Sequence, residues 1–146
     1  PLALGAALGA TIVLGAGGAI TALGDTLVLG GGLDPATDPI VASLVAARVF
    51  HPVMAVVTLA VVGLAVLAAR SASPRVTALG MRVLGLFVVQ MALGALNVWL
   101  LAPIWLQIVH LLLTDLIWIG LVVFGAEALA VPETVSEVDL DFVAEG

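Results

Sequence analysis

Apolar residues run along the chain in four long stretches, near Leu2–Leu29, Ser43–Ala69, Val76–Ala102 and Pro103–Ala130, broken only by short polar or proline-bearing segments. At 1.5 Å per residue each stretch can cross about 30 Å of hydrocarbon as a helix. The punctuation between them is that of helix ends. "GGGLDPATDP" separates the first two, and its Asp38–Pro39 cap signal allows the second helix to begin before Ser43. "RSASPR" separates the second and third, with Ser73 as cap and Pro74 as a first-turn residue. The third and fourth meet at "LLAPIW", where Pro103 ends one helix and enters the next, giving a tight hairpin. The pattern predicts an all-α, transmembrane four-helix up-and-down bundle over residues 1–130. An acidic tail over 131–146, too short to fold alone, follows it.

Composition agrees with a bilayer setting. Apolar residues make up 63% of the 146 and charged residues 10%, against roughly 45–50% and 25% in soluble domains. Four arginines and no lysine leave no basic surface for a nucleic acid. With no cysteine there is no disulfide, thiolate zinc site or iron–sulfur cluster, so any metal must rest on histidine or carboxylate. The glycines of "GAGGAITALG" lie inside an apolar stretch and read as membrane packing, not as a phosphate loop; no HExxH doublet or Ser–His–Asp set is present. Pro1 reads as the start of a processed chain or of a piece of a longer one.

Arg70, Arg75 and Arg82 cluster around the loop between the second and third helices, which places that loop and both termini on the cytoplasmic side. The outer side then holds the loop with Asp25, Asp34 and Asp38 and the Pro103 hairpin, with Trp99 and Trp105 in an outer aromatic belt.

Against this apolar background the polar residues stand out. His51 comes eight residues after Ser43 and His110 seven after Pro103, so both lie about 10–12 Å below the outer helix ends. In an up-and-down bundle the second and fourth helices run the same way on opposite sides of the core. Two imidazoles at one depth on such helices can ligate one iron, and a bis-His heme is the reading that uses both. Taken singly, a histidine in an apolar helix reads as a hydrogen-bonded packing residue, but polar side chains inside hydrocarbon are costly enough to point to use. Arg48 precedes His51 by three residues, and Gln107 precedes His110 by the same offset. Arg48 is placed either to pair with a heme propionate or to reach the outer interface.

Gln90, Gly94 and Asn97 form one inward stripe of the third helix. Gln90 is expected to bond between helices and Asn97 to line a cofactor edge. Thr11, Gly15, Gly18 and Ala22 share a face of the first helix, leaving room for a neighbouring helix or a flat macrocycle. Asp115 is expected to bond to a neighbouring helix, with a proton-handling role open to it, and Pro52 to kink the second helix beside His51.

Three segments, "GGAITALGDTL", "RVFHPVMAVV" and "QMALGALNVWLLAPIWLQIVHLLLTDLIW", resemble the C-terminal half of heme A synthase, the bacterial cell-membrane enzyme that converts heme O to heme A. The likeness runs to about Glu127. It implies a heme b held axially by His51 and His110 and relaying electrons, with no catalytic residue in this half. Where the family's catalytic half carries a glutamate three residues before its histidine, this chain has Arg48, and Pro52 stands where that half has arginine. The outer-loop cysteine pair of many members is lacking. Heme O would react at a second site, in an N-terminal four-helix half or a partner chain, with an electron donor and membrane lipid as the other partners. A stand-alone electron-transfer cytochrome and a packing bundle without chemistry remain as alternatives.

Overall fold

A computed structural model describes residues 1–130, and the acidic segment 131–146 lies outside the described residues. The described part is helical, with four spans long and apolar enough to cross a membrane. The first span is helix α1, Leu2–Asp25, continued by a wide π-type turn over Thr26–Gly30. There the Gly31 N–H reaches back to the Thr26 carbonyl at 2.9 Å. Gly32 follows with φ +66°, a left-handed backbone that glycine adopts freely.

The second span begins at Pro39, the start that the Asp38–Pro39 cap signal allows, and not at Ser43 where the apolar stretch begins. Local chemistry outweighs hydropathy at this end: the Asp38 carboxylate accepts the N–H groups of Ile40 (2.9 Å) and Val41 (3.2 Å), and Pro39 fills the first turn, where its missing N–H costs nothing. The span is in two pieces, α2 (Pro39–Ala47) and α3 (Phe50–Ala69), with Arg48 and Val49 between them. Pro52 explains the break. It offers no N–H to the Arg48 carbonyl and its ring crowds that oxygen. Both linking residues stay near helical dihedrals, so the span bends without reversing.

Helix α4 covers Pro74–Trp99 and starts on a Ser73 cap, whose hydroxyl accepts the Val76 N–H at 3.1 Å. It stops three residues short of Ala102, because Leu101 (φ 60°) and Ala102 (φ 56°) turn left-handed and the Ala102 N–H closes onto the Asn97 carbonyl at 2.8 Å. Helix α5, Ile104–Ala130, leaves the turn directly after Pro103.

Helix α1 packs on both pieces of the second span, α3 on α4, α4 on α5, and α5 returns to α1. The four spans therefore form an up-and-down ring in which the second and fourth are diagonal. The inward seams differ between the two ends. Toward the end carrying the Arg70–Pro74 connection, here the lower end, Leu4, Ala7, Val62, Val66, Val76, Val83, Phe87, Leu121 and Phe124 form a continuous buried core. Gly80 lets helices close there, since a Cβ on it would lie 2.8 Å from Val66 Cγ1. Toward the other, upper end the same seams carry Gly18, Asp25, Arg48, His51, Gly94, Asn97, Gln107 and His110, which are only half-buried. Outward faces are mainly apolar, as a lipid setting requires, with Asp115 an exception on the fourth span. The chain is a multi-pass integral membrane protein.

Candidate functional site

The polar seam of the upper half is built from all four spans. The break before Phe50 places His51 in the first turn of α3, and His110 lies in the second turn of α5. Each ring rests on a glycine of the helix packed beside its own. A Cβ on Gly18 of α1 would stand 2.9 Å from His51 Cε1, and one on Gly94 of α4 would stand 3.2 Å from His110 Cε1. The α1–α3 and α4–α5 pairs thus repeat one device, an imidazole seated in a gap that a methyl group would fill. Gly15 and Ala22 face outward, so the inward stripe of α1 passes through Thr11, Leu14, Gly18 and Asp25. Gly15 has open space around it.

Hydrogen bonding is incomplete in this half. Nδ1 of both histidines, Arg48 Nε, Gln90 Oε1 and Asn97 Oδ1 are buried without a partner, and they are the five such side-chain atoms among the described residues. The Leu14 carbonyl neighbours the His51 ring without relieving Nδ1. An unpaired buried polar atom costs roughly 1–3 kcal/mol. Five of them on three spans, spread over about two helical turns around the histidines, mark a place where a further polar or metal-bearing group would complete the bonding.

The donor set narrows that group. No cluster of three or more histidine, cysteine or carboxylate side chains able to hold a metal occurs among the described residues. Two imidazoles supply two ligands of an octahedral ion, too few for a bare metal but the full axial set for iron already held by a macrocycle. The residues present fit a heme.

The other sequence candidates have separate places. Arg48 forms an ion pair with Asp25, which is the last residue of α1 and not a loop residue. Gln107 lies one turn above His110, where its amide nitrogen donates to the Ala102 carbonyl (2.5 Å) and braces the Pro103 turn. Asn97 faces the interior with its oxygen free. Gln90 bonds between helices as expected, donating to the His110 carbonyl (2.8 Å) and to Thr114 Oγ1 (2.5 Å). Asp115 does not enter this network and is exposed on the surface of α5, because five residues carry it about 140° around the helix from His110.

Sequence reasoning missed Asp25 as the partner of Arg48, and Thr114 altogether. For Asp25 a signal existed, since opposite charges at the same end of adjacent apolar stretches have every reason to pair. Thr114 carried none, because threonine in a membrane helix ordinarily bonds back to its own backbone, as Thr11 does to the Ala7 carbonyl at 2.8 Å.

Known proteins bear on the same region. Residues 2–122 match the family described as cytochrome oxidase assembly protein. Two proteins named protoheme IX farnesyltransferase, from two strains of Thermus thermophilus, are 41% and 40% identical over 134 residues. Each match covers 88% of this chain and 22% of the relative, so the chain spans under a quarter of their length. No solved structure matches the chain. By a match that covers most of its length, and with a polar upper half suited to heme, the chain belongs to the cytochrome oxidase assembly protein family, the family of the heme A synthases.

Proposed function

We propose that the upper half of the bundle holds a heme b between His51 and His110 and serves as the electron-relaying half of a heme A synthase. The observation that carries this reading is the paired arrangement of the two histidines, each ring over a glycine and each Nδ1 buried without a partner. Family membership supports the chemistry, and the Thermus relatives, of which the chain covers 22%, are named for a transfer to protoheme IX, a different reaction on a heme.

His51 and His110 would hold the iron of a heme bound there, and that heme would supply one-electron exchange, which suits relay. Arg48, with one arm on Asp25 and Nε unpaired, would offer the free donor to a carboxylate of the macrocycle. Asn97, one turn above Gly94, would meet the edge of the ring. The packed lower core excludes water and holds the four spans in register beneath the site. Oxidation of the heme O methyl group to the formyl group of heme A belongs to a second site, in an N-terminal four-helix half or partner chain that supplies the catalytic glutamate. With the arginine-rich loop on the cytoplasmic side, the site lies toward the outer face of a bacterial cell membrane.

A reduced-minus-oxidised visible spectrum of the purified chain tests the reading, with His51→Ala and His110→Ala beside it. A low-spin b-type spectrum lost in both variants is expected. A folded chain that takes up no heme when expressed with heme in supply would overturn it.

A further inference from the structure

The two histidines are seated alike but anchored differently. His110 belongs to an unbroken helix, and its main-chain carbonyl accepts two side-chain bonds, from Gln90 Nε2 across the helix pair (2.8 Å) and from Thr114 Oγ1 (3.0 Å). Thr114 in turn accepts from Gln90 at 2.5 Å, which closes a triangle of three groups on two helices. The orientation of the Gln90 amide follows from chemistry. A carbonyl oxygen can only accept, so the atom facing His110 must be nitrogen. Gln90 itself is 8% exposed, in a seam whose neighbours are Phe87 and Gly94. His51 follows the break at Arg48–Val49, and no side-chain bond to its carbonyl occurs among the described residues.

From this we infer that Gln90, with Thr114, is a positioning residue for His110: it keys α5 to α4 at the level of the ligand and fixes the ring over Gly94. The argument is one of register. A Cβ on Gly94 would lie 3.2 Å from the His110 ring, so there is little free space between the ring and the α4 backbone. A small slide or rotation of α5 therefore moves the ring against that backbone or away from the interior. Apolar packing is poor at preventing such motion, since neighbouring lipid-facing positions are interchangeable and helix association in a bilayer lacks a hydrophobic drive. A directional bond to the histidine's own carbonyl prevents it at the residue that matters, one turn below the glycine. The inference rests on His110 being a heme ligand, as proposed above.

The test uses the full chain loaded with heme during expression. Gln90→Leu keeps the volume and removes both bonds, Thr114→Val removes the hydroxyl alone, and Gln90→Glu, as a neutral acid, keeps one donor. Carbon monoxide binding to the ferrous protein and the low-spin ferric electron paramagnetic resonance signal report the axial ligand directly. In Gln90→Leu, carbon monoxide should displace a loosened histidine about fivefold faster, the size of one hydrogen bond's net contribution. The signal should broaden or shift, while Gln90→Glu returns part of the way. Thr114→Val should move both readouts in the same direction by less, and it carries the test if Gln90→Leu does not fold. A residue that merely held two helices together would lower the melting temperature and leave both ligand signatures unchanged, which would overturn the inference while the heme stands. An unaltered chain without heme would overturn the heme reading first, and this inference with it.

Discussion

Asp25 at the end of α1 and Arg48 at the break in the second span form an ion pair beneath the upper end of the bundle. Their side chains keep 22% and 37% of their exposure, so the pair is neither a free surface contact nor a dry one. A guanidinium has five donors in a rigid fork, and this one leaves Nε buried and free. The arginine is therefore held by one carboxylate while still able to meet a second. It stands at the break opposite Pro52, where both pieces of the span pack against α1.

Removing the carboxylate strands the cation. Exposed ion pairs contribute about 0–1 kcal/mol and breaking a buried one costs about 3–5 kcal/mol. For this half-buried pair Asp25→Ala should destabilise the protein by about 1–2 kcal/mol. Combining it with Arg48→Ala should recover part of that loss, giving a coupling of about 1 kcal/mol in a double-mutant cycle. Thermal unfolding of the four proteins in one detergent checks it, and strictly additive losses would show that the two side chains act separately.

The glycine seats make opposite demands at three positions. Gly18→Ala places a methyl 2.9 Å from the His51 ring and must displace it, whereas Gly94→Ala at 3.2 Å asks the His110 ring to give by a few tenths of an ångström. Gly15→Ala meets open space and should stabilise the helix by about 0.5–1 kcal/mol through its better propensity. Bound heme per chain should fall in the order Gly15→Ala, Gly94→Ala, Gly18→Ala. Equal heme content in all three would remove the glycines from any role at the site.

Much of this arrangement was open to reading in the residues, for definable reasons. Hydropathy alone marks four spans, since a bilayer demands near-continuous apolar runs of about 20 residues. The kink at Pro52 follows from a missing N–H, and the inward stripe of Gln90, Gly94 and Asn97 from helical periodicity. Hydrogen-bonding chemistry decides the helix ends: at Asp38–Pro39 it selects the earlier of the two starts the sequence allows, and at Leu101–Ala102 it ends the helix three residues before the apolar stretch does. Pairwise relations were the least legible. That Asp25 meets Arg48, or that Gly18 and not Gly15 faces a histidine, depends on the rotation of one helix about its axis relative to the next, and one apolar face looks much like another in the sequence.

The turn between α4 and α5 carries strain that can be removed. Leu101 and Ala102 are both left-handed without being glycine, at a cost of roughly 1–2 kcal/mol each. Ala102→Gly should stabilise the protein by about 1 kcal/mol, and Leu101→Gly by somewhat less because it gives up the leucine's apolar surface at the membrane edge. A rise in melting temperature for Ala102→Gly is the expected reading. A fall would mean that the hairpin needs the alanine side chain more than a relaxed backbone.

Asp115 is the remaining oddity, a carboxylate near the middle of the Ile104–Ala130 span and exposed on its surface. An aspartate at the centre of an inserting helix costs about 2.5–3.5 kcal/mol on translocon-based scales. In the bundle described here no burial compensates for that cost, because the side chain points away from the Gln90–Thr114–His110 network. Asp115→Leu should therefore raise the fraction of fourth spans inserted, by about a hundredfold in the inserted-to-excluded ratio, and leave the heme spectrum as it was. An insertion assay on the fourth span measures the first effect and the purified full chain the second. If the span inserts better but the folded, heme-bearing protein becomes scarcer, the carboxylate is serving a contact made in the assembled protein, and the cost of placing it in the bilayer is offset there.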